Sequence, residues 1–536
     1  MIKNISISIV IFFLFVNCNQ SDANNKKKET GNISSAELDI QFTRLSLDSS
    51  FIENYIQKHQ ISADAAKKIR DFYSNRDFQY AWFTEDGLAE HTLAFWNLHE
   101  QYVNLGQDSS LFDQDLHKRM TDLLEDEIAS PSPEYISETE VLLTEHFFDF
   151  SRYAYTGKID PEKMQWHIPR RKIDAVKLLD SLTKTKGSIE NWEPVNESYT
   201  LLQNQLTRLY DIEKAGNWKN IKAGEKTVIR KGDSAAVVAD IKNNFYLAGD
   251  FNSTDRSPKY TAELYNAVIE FQRRHGLEED GVIGPAVMRE IDVPIEKRIE
   301  QVLINMERMR WLQMNKEGKR IVVNVPEYRV HIYNNEKEVF DMAIVVGKAA
   351  TKTVIFSDEV KHVVFAPYWN IPRSIIRNEI LPAMRKNSNY LARNNMEQTG
   401  YSNGLPVIRQ KPGPNNALGR VKFLFPNRYS IYLHDTPAKT LFKRTKRTFS
   451  HGCIRVEKPL ELAAFLLQES PQWDRQKIST AMQSTREKWV NLDKPVPVYI
   501  TYFTSWVDKN GKLNFREDIY GHDDRLAKRL FQHENH

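Results

Sequence analysis

Apolar residues recur every three or four positions through most of the first two hundred residues, in stretches such as ADAAKKIRDFYSN, SETEVLLTEHFFDFSRYAY and AVKLLDSLTKT. That interval stacks them on one face of a helix, and strand-like alternation is scarce, so residues 36–215 are expected to form a helical scaffold with an aromatic core. Trp82 and Phe83 precede the turn EDG, and Gly157 stands just before Asp160-Pro161, a helix stop. A second helical unit is predicted over residues 225–292. A turn at Lys231-Gly232-Asp233 leads into a helix with Val237, Ile241 and Phe245 at four-residue steps. Leu264, Val268 and Phe271 share a face of the next helix, and Asp280-Gly281 marks a turn. From Arg320 the period drops to two. In YRVHIY, Tyr328, Val330 and Ile332 alternate with Arg329, His331 and Tyr333, and VFDMAIVVG, KHVVFAPYWNIP, VKFLF, YSIYLH and VPVYITYFTSW continue the strand signal. Residues 318–505 thus read as a mainly β domain, interrupted by a loop-rich insertion at 373–416 and followed by a tail at 506–536. The fold class is multidomain α+β.

The extreme N-terminus follows another pattern. Lys3 precedes an apolar run from Ile5 to Val16, long enough for a signal-peptide core and too short to span a bilayer comfortably. The run ends at FVNC. Cys18 stands where a bacterial lipoprotein signal, here residues 1–18, places its lipid-accepting cysteine, although Asn17 occupies the usual place of a small residue. An uncleaved anchor or a simple signal peptide are the alternatives, and each puts the chain outside the cytoplasm. Residues 19–35 are polar, with KKKE in the middle, and read as a solvated tether. The expectation is a periplasm-facing protein of the cell envelope, held to the membrane by lipid.

Composition adds two exclusions. With 74 basic against 71 acidic residues the net charge is only +3, which gives no basis for a nucleic-acid partner. The chain has two cysteines, Cys18 and Cys453. Once Cys18 is lipidated or removed, no disulfide can form within the chain, and Cys453 is either an inert buried thiol or a reactive one.

The stretch TFSHGCIRVEKP supplies what a reactive thiol needs. A nearby histidine can take its proton, and two stand close in sequence: His451, two residues before Cys453, and His434, nineteen before it at the end of YSIYLH. Gly452 lets a substrate approach the backbone, so the N–H groups of Gly452 and Cys453 are candidate oxyanion donors. A zinc hydrolase reading of His434, Asp435, His451 and Cys453 lacks a paired CxxC or HExxH, and chelation would separate the two chemistries.

YLHDTPAKTLFKRTKRTFSHGCIRV resembles the catalytic signature of the YkuD-like L,D-transpeptidases. The similarity continues through APYWNIPRSIIRNEILP, RQKPGPNNALGRVKFLFPN and the terminal VPVYITYFTSWVDKNGKLNFREDIYG. SNRDFQYAWFTEDGL, YAYTGKIDP and ERMRWL resemble the large, scaffold-bearing YcbB-like subfamily. The run FQxxHGLxxDGxxGPxxM, Phe271 to Met288, resembles the peptidoglycan-binding domain family, a three-helix module in which Gly276, Gly281 and Gly284 would supply tight turns.

The resemblance implies Cys453 as nucleophile and His434 as proton acceptor and donor, oriented by Asp435 or a backbone carbonyl. His451 is the weaker base candidate. Arg455 would hold a substrate carboxylate or brace the turn; Tyr432, Ser450 and His451 count among the substrate-binding residues, and the insertion, with Trp369, Arg409 and Asn416, would cap the substrate. No metal or organic cofactor is implied. The reaction would be acyl transfer on peptidoglycan stem peptides through a cysteine thioester, releasing D-alanine and forming 3→3 cross-links. Water as acceptor would make the same site a carboxypeptidase, and a non-catalytic wall-binding lipoprotein is the reading from another class. Two departures stand out: Thr351 to Ser357 lacks the proline often found after the threonine, and Ala366 replaces an asparagine before Pro367.

Overall fold

The computed structural model describes residues 43–106, 111–125, 127, 131–168, 172–184, 197–221 and 228–531. The apolar run from Ile5, Cys18 and the tether at 19–35 lie outside the described residues. Among the described residues, no helix is long and apolar enough to cross a membrane.

The N-terminal region is helical, with helices at Ser49–Lys58, Ala63–Ser74, Glu90–Gly106, Gln114–Leu124, Pro133–Thr156, Ala175–Lys184 and Glu197–Ala215. Asp48, Ser62, Asp113 and Ser132 each cap a helix by accepting a first-turn N–H, which satisfies a donor the helix itself cannot. Trp82, Phe95, Phe147 and Phe150 are fully buried in the core below them. One segment breaks the helical pattern. Trp166–His167 is a short strand that pairs in parallel with Ile355 and Phe356, so the scaffold lends an edge strand to the C-terminal sheet. Two residues are too few to show alternation, and sequence periodicity gave no sign of it.

The second unit has helices Val237–Ala248, Ala262–Arg274 and Pro285–Ile291 around Val238, Ile241, Phe245, Leu264, Val268 and Phe271. Its motif residues serve the fold. Gln272 accepts the Gly281 N–H at 2.8 Å and donates to Asp280 at 2.7 Å, clamping the Asp-Gly turn. Gly281, at φ +65°, has the Tyr265 ring where a Cβ would go. Gly284, at φ −102°, directly precedes the last helix.

The C-terminal sheet closes on itself. Strands β1 (Lys319–Asn324), β2 (Arg329–Asn334), β3 (Lys337–Gly347), β4 (Ile355–Phe365), β5 (Val421–Leu424), β6 (Leu433–His434), β7 (Ile454–Val456) and β8 (Lys488–Thr501) form a barrel in the order β5-β6-β7-β3-β2-β1-β8-β4, and β4 pairs back onto β5. Ile321, Val323, Val330, Ile332, Ile344, Val363, Leu433, Ile454 and Val498 fill it. The insertion is a folded unit and not a set of loops. Trp369–Asn370, Met396–Ser402 and Leu405–Gln410 make their own sheet over a small core of Ile371, Ile375, Ile376, Ile380 and Ile408.

The expected tail also needs correction. Ser505–Val507 pairs with Leu513–Phe515 and a helix follows at His522–Leu530; Phe515 stacks on His275 and lies under Arg298, while Tyr520 and Leu526 join the barrel core. The charged stretches VDKNGK and REDIYGHDDR hid this by masking the few apolar anchors.

One helix, Ile295–Trp311, runs through the middle. Ile299, Val302 and Met306 face helix Glu197–Ala215, and Ile304 and Trp311 face the barrel. It also buries charge. Glu307 accepts the Ile159 N–H at 2.8 Å and the Trp311 indole at 3.0 Å. Arg308, almost fully buried, pairs with Asp523 at 2.7 Å and lies over the Trp166 and Tyr502 rings. Arg308→Met leaves the Asp523 carboxylate buried without its cation, so the unfolding free energy should fall by about 3–5 kcal/mol. Adding Asp523→Leu should recover most of the loss, since two apolar side chains carry no such penalty; urea melts of the two variants measure both.

Candidate active site

Strands β6 and β7 run parallel, with Leu433 opposite Ile454 and His434 opposite Arg455. Strand alternation then sorts the side chains. Leu433, Ile454 and Val456 turn into the barrel and are fully buried, which leaves Tyr432, His434, Cys453 and Arg455 together on the other face. The Tyr432 and His434 rings meet edge to face with centroids 5.7 Å apart. This four-residue arrangement is the centre of the site.

Cys453 is a free, half-buried thiol. Its Sγ–H points to the Ser430 carbonyl at 3.5 Å. Burial pushes its pKa up, while hydrogen bonds from the Tyr432 main chain and hydroxyl and the nearby Arg455 charge favour the thiolate and offset part of that rise. His434 is buried, and burial together with Arg455 holds it down to about 4, against the pull of the Asp435 and Leu418 carbonyls. It is therefore neutral at physiological pH. Its Nδ1 lies 2.5 Å from the Asp435 carbonyl; an N–H on Nδ1 leaves the lone pair on Nε2, which is what a base requires.

Of the two orienting groups considered for His434, the backbone carbonyl holds the ring. The Asp435 carboxylate points elsewhere, accepting the Arg420 N–H at 2.8 Å and Lys439 at 2.6 Å. Gly419, at φ +63°, makes room for it, since a Cβ there would fall 2.4 Å from the carboxylate carbon. His451 likewise turns outward, with Nε2 3.2 Å from Glu379 of the insertion. The four residues of a zinc reading thus diverge. Among the described residues, the group of metal-ligand type is His331, Glu338 and Asp341, and it is internally paired: His331 bonds Glu327 and Glu338, and Asp341 pairs with Arg329.

The oxyanion expectation is corrected at Gly452. Its N–H donates to the Ser450 hydroxyl at 3.1 Å, and that hydroxyl donates to the Cys453 carbonyl at 2.6 Å. Ser450 is thus a buried brace of the turn, and Cys453 keeps the N–H that has no acceptor among the described residues. Gly452 has φ +117°, a conformation that side chains disfavour.

Sequence reading missed the groups that hold this turn. Thr353 accepts the Gly347 N–H at 3.0 Å and donates to the Gly452 carbonyl at 2.9 Å. Thr351 donates to the Ser450 carbonyl at 3.2 Å. Tyr520 donates to the Gly347 carbonyl at 2.6 Å. The Thr351-Lys352-Thr353 run was visible, but nothing local tied it or Tyr520 to residues a hundred positions away. The second departure also has a physical meaning: Ala366 sits at φ +45°, where asparagine is tolerated far better than alanine.

Three expected binding residues lie in the insertion. Trp369 packs against its isoleucine core. Arg409 bonds Glu397 at 2.7 Å and covers the Tyr368 ring at 4.1 Å. Asn416 is buried, and its amide reaches the Pro367 carbonyl at 3.0 Å, the Lys411 carbonyl at 2.9 Å and the Leu418 N–H at 2.8 Å, so its polar atoms serve the chain itself. Arg455 is half-buried, and its Nε has no hydrogen-bond partner.

Residues 318–498 match the L,D-transpeptidase catalytic domain, the YkuD family. This part of the chain is an L,D-transpeptidase domain. Residues 67–206 match the scaffold domain and residues 235–291 the peptidoglycan-binding domain, so the L,D-transpeptidase domain is joined to two further modules. A Haemophilus influenzae protein provisionally named an L,D-transpeptidase is 32% identical over 248 residues, covering 43% of this chain and 50% of that protein. The match thus spans about half the length of this curated relative. Crystal structures of L,D-transpeptidases from Xylanimonas cellulosilytica (13% identical, TM-score 0.18, 52% of this chain and 99% of that one) and Stackebrandtia nassauensis (16%, 0.22, 52% and 97%) are also similar.

Two outcomes test the roles within the L,D-transpeptidase domain. His434→Ala should slow acylation by at least ~100-fold, the scale of a lost general base, while His451→Ser keeps substantial acylation; stopped-flow acylation ranks them, and the reverse order would reassign the base. The pH dependence follows from the direction of the His434 shift. A base must be unprotonated, so the acylation rate should fall only as pH drops through about 4, with no inflection at 6.5, the ordinary histidine value.

Proposed function

We propose that the chain is an L,D-transpeptidase of the cell envelope that forms 3→3 cross-links in peptidoglycan through a Cys453 thioester. The observation that carries this reading is the grouping of a neutral, carbonyl-oriented His434 with a thiol flanked by Tyr432 and Arg455. Peptidoglycan as the substrate is supported by two modules of related type on one chain, a peptidoglycan-binding domain and an L,D-transpeptidase domain. The same modules favour an envelope location, with a lipid at Cys18 as the proposed anchor.

In the first half-reaction the Cys453 sulfur attacks the carbonyl between the third stem residue and terminal D-alanine, and its proton passes to His434. Negative charge develops on the carbonyl oxygen, where the Cys453 N–H is positioned to donate. The C–N bond then breaks, D-alanine leaves with the proton from His434, and a thioester remains. In the second half the side-chain amine of a neighbouring stem attacks, the C–S bond breaks and a new amide forms. Arg455, a cation beside the thiol, suits a stem carboxylate. The insertion would cover the donor.

Intact-mass measurement on the purified chain with a tetrapeptide donor should find one acyl group per molecule and a 3→3 dimer in the product, both absent from Cys453→Ala. A product consisting only of shortened stems would favour the carboxypeptidase reading. Wild-type-like turnover in Cys453→Ala would end the thioester reading. A carbapenem, whose strained carbonyl mimics the donor, should leave one adduct on Cys453; loss of activity with chelator and no adduct would favour a metal hydrolase.

A further inference from the structure

We infer that Glu379 and His451 form a histidine–carboxylate pair that serves the incoming acceptor amine, so that the insertion confers the transfer half of the reaction. The inference rests on the transpeptidase reading above. It starts from a contact that contributes little to folding. The pair is 3.2 Å apart with both side chains about half exposed, at 45% and 54%, and such ion pairs are worth only about 0–1 kcal/mol. The insertion has its own core and is tied to the barrel side by the Asn416–Pro367 hydrogen bond. Folding gives no strong reason for a carboxylate here.

The placement of Glu379 points to chemistry. It lies in the π-helical turn Ile376–Ile380, a rare conformation that recurs at functional sites. Ile376 and Ile380 are buried in the insertion core while Glu379 faces out, towards the nucleophile turn. His451 is two residues from Cys453, so their Cα atoms are at most about 7 Å apart. With Gly452 between them at φ +117°, the His451 imidazole reaches Glu379 of the insertion.

The two histidines face different demands. His434 is buried on the sulfur's side next to the Arg455 cation, which repels an approaching ammonium ion. The Asp435 carboxylate is already committed to Arg420 and Lys439. Glu379 is a half-exposed carboxylate on the open side. It can attract a cationic acceptor, and by accepting the His451 Nε2–H it leaves the Nδ1 lone pair free. A side-chain amine with a pKa of about 10.4 arrives protonated and cannot attack until it loses a proton. His451 takes that proton. The nitrogen lone pair then forms the C–N bond at the thioester carbonyl, the C–S electron pair returns to Cys453, and the remaining extra N–H proton of the adduct passes through His434 to the sulfur. Glu379 is a positioning residue in this scheme, and His451 is the group that touches the amine.

The experiment measures the two halves separately on the full chain, with tetrapeptide stem as donor and acceptor. In Glu379→Gln and His451→Ala, thioester formation should stay within a few-fold of wild type. The ratio of cross-linked dimer to hydrolysed stem should fall by about tenfold in Glu379→Gln and about 100-fold in His451→Ala, the range of a lost general base. Glu379→Asp should recover part of the ratio. Hydroxylamine, which is unprotonated at neutral pH and needs no base, should accept the acyl group equally well in all four proteins. An unchanged dimer ratio in either variant overturns the inference, as does a parallel fall in thioester formation or in hydroxylamine transfer, which would mark a structural role. No thioester in the wild-type chain would overturn the transpeptidase reading itself, and this inference with it.

Discussion

The buried charge on helix Ile295–Trp311 is the constraint on which the rest of the molecule depends. Arg308 and Glu307 cannot lie in an apolar interior without partners. Their partners come from distant parts of the chain: Asp523 from the C-terminal helix and the Ile159 N–H from the scaffold. Even Gly157 belongs to this arrangement, since a Cβ there would fall 2.6 Å from the Glu307 carboxylate and the Trp311 indole. Three regions that look independent in sequence are thereby held in one register. The second unit is tied to the same frame, with Arg274 bonding both Asp250 and the Leu513 carbonyl.

This frame reaches the candidate site through the C-terminal segment. Tyr502 donates to Asp518 at 2.5 Å and accepts the Tyr520 N–H at 2.9 Å. Tyr520 in turn holds the Gly347 carbonyl and receives the Thr353 N–H at 3.3 Å. Thr353 then holds Gly452, next to Cys453. A turn with a glycine at φ +117° has no regular ladder to define it. Side chains from three segments do so instead, and such over-determination is what allows a disfavoured conformation to persist.

The insertion meets the Ser450–Cys453 turn through the Glu379–His451 contact. Buried groups set the orientation of His434, whereas a contact at the surface sets that of His451. The site thus combines a buried, neutral histidine with a half-exposed one.

Periodicity alone determined much of this protein. The three-to-four-residue spacing in ADAAKKIRDFYSN and the alternation in YRVHIY reflect how helices and strands bury one face, and that requirement is local. TFSHGCIRV with its upstream histidine was legible as a motif, because residue types and their spacing are carried by the sequence itself. The tertiary structure decided what depends on partners far along the chain. Trp166–His167 is a strand only because β4 offers a free edge. Residues 506–531 are bound into the core and do not form a tail, because Phe515, Tyr520 and Leu526 find cavities built by other segments. Gly452 could be named as an oxyanion donor from sequence, yet the Ser450 hydroxyl takes its N–H. Asp435 and the Asp435 carbonyl could not be separated as the group orienting His434 until Lys439 and the Arg420 N–H were seen to claim the carboxylate. A hydrogen bond depends on distance and direction, and one-dimensional spacing specifies neither once the chain has folded back on itself.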